Sequence, residues 1–172
     1  MPTVKSSFPM TSWKRSESVF TVGGMNSRSL KEVQQYFFGK NEWQALQELP
    51  DFSYDSAATV LDDVLYSFGG HPSKYSVQWY DLLRREIDWK TVKYFEVVSF
   101  KGDAKKGATV VGSKVVYFGG NKGNKTYILE RGREQLKSSI AMGWTGLPPR
   151  ILQFVILYVQ GKDLLFPEGQ LL

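Results

Sequence analysis

VLYSFGGHPSKYSVQWYDLL, residues 64–83, sets an apolar run, two adjacent glycines, a polar loop and a second apolar run in one short stretch. The pattern recurs. SVFTVGG ends at Gly24, VLYSFGG at Gly70 and KVVYFGG at Gly120, so the glycine pairs Gly23-Gly24, Gly69-Gly70 and Gly119-Gly120 lie 46 and 50 residues apart. A looser copy, DLLFPEG, ends at Gly169, 49 residues further on. Self-similarity at a fixed period of this length is the mark of a repeat architecture. The likeness continues past the glycines, because VQQY at 33–36 matches VQWY at 77–80. Trp43 and Trp89 each follow their glycine pair by 19 residues, although the loop and turn between them trade two residues. Trp144 follows Gly120 by 24, which places an insertion in the third copy.

Each period holds four short apolar runs separated by turn residues, the pattern of four strands. In the second unit these are SAATVL, VLYSFGG, SVQWYDLL and DWKTVKY. In the third they are GATVVG, KVVYFGG, TYILE and the segment around Trp144. The composition agrees: hydrophobic residues make up 42% and aromatic residues 15% of 172, a content that folds and favours the pleated surface of a sheet. A four-stranded sheet of some fifty residues cannot bury both its faces alone, so it must stack on copies of itself. Radial stacking is the β-propeller solution.

The glycine pair ending a strand, the tyrosine of the next strand (Tyr36, Tyr80 and more weakly Tyr127), the tryptophan opening the last strand and the ~50-residue period together resemble the kelch repeat family. The resemblance covers about Ser18 to Gly169 and implies an all-β, kelch-type β-propeller. One domain, 1–172, then carries approximate repeats 8–50, 51–95, 104–149 and a partial 150–172. These amount to about three and a half four-stranded blades. Family propellers more often close with five to seven, so the expectation is a fragment, a truncated member, or a ring completed by another chain. Self-association is expected from the sheet edge and apolar face that an unclosed ring presents.

Several function classes lose ground on composition. With no cysteine, the chain has neither disulfides nor a cysteine nucleophile, and a cytoplasmic location is expected. The longest apolar stretch, Ile151 to Val159, is too short to cross a bilayer as a helix and reads as a buried strand, so no membrane partner is expected. The net charge of +5 is scattered, with only Arg84-Arg85 and Lys105-Lys106 adjacent, which argues against nucleic acid. His71, the lone histidine, has neither a metal-ligand set nor a triad pattern around it. Asp62 and Asp63 fall in the tight turn LDDV and read as turn residues.

What the sequence offers for function is one set of loops. MNSRSLKE, HPSKYS and NKGNK, with the connections QELPDFSYD and EVVSFKGDAKK, emerge on one face of such a scaffold, where recognition commonly sits. Arg28, Lys31, His71, Lys74, Tyr75, Lys122 and Lys125 are its candidate contacts. The resemblance implies a non-catalytic scaffold or adaptor that binds another protein, without cofactor or metal. The alternative is a kelch-like propeller enzyme, an oxidase, lyase or sugar-processing protein.

Overall fold

Alternating apolar residues bounded by tight turns build three consecutive four-stranded antiparallel sheets. The computed structural model describes residues 2–73, 77–85, 87–92, 106–119, 126–131 and 136–141. The first sheet is β1 (Met10–Trp13), β2 (Ser18–Val22), β3 (Val33–Phe37) and β4 (Glu42–Ala45). The second is β5 (Ala57–Leu61), β6 (Val64–Phe68), β7 (Val77–Asp81) and β8 (Lys90–Val92). The third is β9 (Lys106–Val111), β10 (Lys114–Gly119), β11 (Thr126–Arg131) and β12 (Leu136–Ala141). Each is a simple meander in which neighbours in sequence are neighbours in the sheet. The leading strands gather, since β5 lies against both β1 and β9.

The hairpin turns explain the sharp spacing. Asp62 and Asp63 both take positive φ, 49° and 58°, the two-residue turn whose twist matches that of the strands it joins. In the first sheet, short 3-10 turns at Lys14–Ser16 and Phe38–Lys40 do this work, each closed by a left-handed residue, Glu17 or Asn41.

The second sheet is buried on both sides, which is why VLYSF lacks a clean polar alternation. Ala58, Leu65 and Tyr80 pack toward the first sheet against Trp13, Phe20, Val22, Val33 and Leu49. Val64, Tyr66, Phe68 and Val77 pack the other way, with Val115 and Tyr117 of the third. Leu65 and Phe68 are fully buried, each worth about 1.5–3 kcal/mol in transfer terms. The last strand of the third unit differs from expectation. Residues Leu136 to Ala141 pair with β11 from Arg131↔Leu136 to Thr126↔Ala141, so the hairpin closes before Trp144 is reached. Trp144, Gly120 and residues 150–172 with Gly169 lie outside the described residues, while Gly119 ends β10.

Polar side chains stitch the first two sheets together where apolar packing thins. Arg85 Nη2 donates to Gln35 Oε1 at 3.0 Å, and the fully buried Gln35 passes its amide on to Ser18 Oγ at 2.8 Å. Tyr80 holds the arginine's own backbone, donating to the carbonyl of Arg85 at 2.7 Å. The tryptophans do the same at the two ends of this interface. Trp13 Nε1 donates to Asp63 Oδ1 at 2.8 Å, and Trp89 Nε1 donates to the carbonyl of Gln47 at 3.0 Å. Asp63 therefore serves its turn and also anchors the neighbouring sheet.

The glycine pairs take left-handed backbone at Gly23 (φ 59°), Gly24 (108°), Gly69 (60°) and Gly70 (87°), and the reason is a crossing strand of chain. The connection from β4 to β5 runs over both pairs. Gly24 N–H donates to the Ser53 carbonyl at 2.7 Å, and Ser53 Oγ donates to the Gly69 carbonyl at 3.4 Å. A Cβ on Gly23 would overlap that same carbonyl oxygen, and one on Gly70 would overlap Ser53 Oγ and stand 2.8 Å from Ser56 Cβ. Only glycine satisfies both the conformation and the approach.

Gly23→Ala is accordingly expected to lower stability by about 2–4 kcal/mol, from left-handed strain plus overpacking. Gly39 has no atom within 4 Å of an added Cβ, so Gly39→Ala should stay within about 0.5 kcal/mol of the parent. Urea denaturation of the two variants gives the comparison, and equal midpoints would refute this account of the glycine pair.

Candidate functional site

The loops that follow the glycine pairs and the connection that crosses them share one face. Asn26 Oδ1 accepts the backbone N–H of Arg28 at 3.1 Å, a local turn that leaves the arginine side chain exposed at the loop tip. Two residues on, the buried Leu30 donates from its backbone to the Gly24 carbonyl at 2.9 Å and closes the loop onto its own glycine.

The other two described candidates are drawn to the connection. Lys31 Nζ donates to the Pro50 carbonyl at 3.0 Å and stands 4.8 Å from the centre of the Phe52 ring. His71 is exposed and lies flat on Tyr54, with ring centres 5.6 Å apart and planes within 2°. Its backbone exchanges two hydrogen bonds with Tyr54, at 2.9 and 3.0 Å. Lys31 and His71 are thus brought to one short strip of chain, with Phe52 and Tyr54 between them. Arg28 remains apart on its loop, and Lys74, Tyr75, Lys122 and Lys125 lie outside the described residues.

Phe52 and Tyr54 are the residues that sequence reasoning passed over. Phe52 is 43% exposed, unusual for so large an apolar ring, yet its backbone is fixed because Ser53 is locked under the glycines. The available signal was the alternation in DFSYD, which turns Phe52 and Tyr54 outward and Ser53 inward. An exposed aromatic on rigid backbone loses little conformational freedom when covered.

The repeat marks of the first two units fall into place as packing residues. Tyr80 stacks on Trp89 at 5.2 Å, and Tyr36 meets Trp43 at 5.1 Å with the rings tilted by 44°, the same pair in successive sheets. On the opposite end of the sheets, Ser12, Trp13, Lys14, Arg15, Val60, Asp62 and Asp63 line an open cleft of about 360 Å³. Of its two carboxylates, that of Asp63 is already engaged, by Trp13 and by Arg15 Nη2 at 3.2 Å from Asp63 Oδ2. Among the described residues, no group of three or more His, Cys, Asp or Glu could hold a metal ion, and no helix is long and apolar enough to cross a membrane.

The segment Thr3 to Phe8 copies the crossing connection. Ser6 pairs with Met25 after the first glycine pair as Tyr54 pairs with His71 after the second. Ser7 (φ 54°) matches Asp55 (φ 52°), and the Asp55 N–H donates to the Ser7 carbonyl at 2.8 Å. Lys5 then occupies the place of Ser53, its side chain against Gly24 and its Nζ buried without a hydrogen-bond partner. Burial of the ammonium pushes the Lys5 pKa below its ordinary 10.5, with Glu32 pulling weakly the other way.

The unfolded chain therefore holds this proton to higher pH than the folded one, and stability rises with pH between the lowered folded value and 10.5. Above that window both states are neutral and the penalty is gone. Lys5→Met should raise the urea midpoint at neutral pH, and the advantage should shrink in alkaline buffer. A midpoint difference that is flat with pH would show that the amine is not the source.

The repeats match one another within the chain; beyond it, no model of a known protein family matches.

Proposed function

We propose that this chain is a kelch-type propeller segment acting as a non-catalytic binding module, which engages another protein through the face formed by the glycine-launched loops. The three meanders with gathered leading strands support the blade reading. The observation that carries the binding role is the strip Lys31, Phe52, Tyr54 and His71. It offers an exposed aromatic, a stacked imidazole and a cation on backbone that the glycine pairs hold rigid. Anchors of this kind, aromatic and cationic side chains in a fixed frame, dominate protein interfaces. The expected partner face is acidic at its rim, to meet Lys31 and Arg28, with a pocket for the Phe52 ring.

Affinity capture from the source cell, repeated with Phe52→Ser and with Lys31→Glu, tests the reading. Each change should weaken capture of the main partner about tenfold or more, in line with the loss of a central anchor. Both variants should keep the parent's thermal midpoint. Partners retained undiminished by both would remove this face as the site.

A further inference from the structure

The first and second sheets present the same face in two different states. In the second sheet the face made by Leu65, Tyr80 and Trp89 is sealed by the first sheet, leaving these side chains 0%, 2% and 7% exposed. The matching face of the first sheet carries Val19, Tyr36 and Trp43, joined by Met10 and Ala45 through the pairings Met10↔Thr21, Tyr36↔Trp43 and Gln34↔Ala45. Here Met10 is 57% exposed, Ala45 is exposed, and Val19, Tyr36 and Trp43 are only half-buried. Phe38, 60% exposed, extends the patch with an edge-on contact to Tyr36 at 5.3 Å.

The patch is already prepared for a neighbour. Thr3 to Phe8 lies along it in the position the incoming connection takes on the second sheet. Gln34 Nε2 donates to Thr3 Oγ1 at 3.3 Å, where its counterpart Gln78 accepts from Asp51, the residue matching Thr3. Gln34 Oε1 and Thr21 Oγ1 are buried on this face without hydrogen-bond partners.

The repeat also says what fits there. The second sheet is covered by the side of the first that bears Phe20 and Val22. Aligning the glycine pairs puts Val116 and Phe118 of β10 at the places of Phe20 and Val22. These two are half-buried, and Thr109, opposite Val116, is exposed. We infer that the Met10/Tyr36/Trp43 face of one chain receives the Thr109/Val116/Phe118 face of a second copy, continuing between molecules the sheet-on-sheet contact seen within one. This rests on the repeat equivalence of the proposed blades but not on the loop face as a binding site. Because the two faces differ, the contact is head-to-tail and can extend or close.

Light scattering on eluted fractions tests this with Met10→Lys and Thr109→Lys, both at exposed positions. The parent should associate with rising concentration, and each variant alone should stay monomeric. Mixed in equal amounts they should form a one-to-one dimer, since each retains the face the other lacks. A parent monomeric at all concentrations would overturn the inference, as would Met10→Lys associating like the parent or a mixture that stays monomeric. Lys31→Glu should leave association unchanged, which separates a failure here from a failure of the loop-face reading.

Discussion

The fold hangs on the close approach of one backbone to another at the glycine pairs. Where β2 and β6 end, the chain must turn away while a different segment passes almost within bonding contact of it. Ser53 satisfies this crossing with its N–H, its carbonyl and its hydroxyl, through Leu30, Gly24 and Gly69 respectively. The connection is thus tied to the first sheet by the Ser53 main chain and to the second by the Ser53 hydroxyl and by the two backbone bonds between Tyr54 and His71. Apolar burial then supplies magnitude. The position and angle of one sheet on the next are fixed by backbone hydrogen bonds that a shift of one residue would break.

From that fixed end the rest of the interface can be followed outward. Leu65 and Tyr80 meet the first sheet in mid-face, Arg85 bonds to Gln35 across it, and Trp89 and Trp13 close its two ends on Gln47 and Asp63. The pairing is a demanding solution, since losing the half-buried Arg85 would strand the carbonyl of the fully buried Gln35. It is met here because Gln35 accepts from Arg85 and donates to Ser18 and Ser16, so both ends of its amide are engaged. The loop strip inherits its rigidity from the other end, through the locked Ser53 between Phe52 and Tyr54.

Much of this was legible in the residues. The strands and the glycine pairs are local features, set by alternation and by a conformation other residues resist, so a single chain reading finds them. The Asp62-Asp63 turn was legible for the same reason. The engagement of Asp63 with Trp13 was not, since the two stand 50 residues apart, and nor was Arg85 with Gln35, equally distant. The fourth strand of the third unit lies earlier than its tryptophan marker predicts, because LKSSIA supplies the pairing residues of β11. Phe52 and Tyr54 stayed hidden because they sit in a connection, where no periodicity singles them out until the chain beneath them is known to be pinned.

The trade of two residues between the units has a consequence for how such a chain can vary in length. The loop after the glycines is longer in the first unit, the turn before the tryptophan is longer in the second, and both were accommodated. The crossing and its copy meet these loops at Met25, Leu30 and His71. By contrast, Ser53 to Ala57 and Lys5 to Pro9 keep step with their glycine pairs, held by backbone hydrogen bonds at Ser53, Tyr54, Asp55, Ser6, Ser7 and Pro9. Insertions and deletions should accumulate in the former and be purged from the latter, so that new surface can be grafted beside the strip without disturbing the frame that holds it.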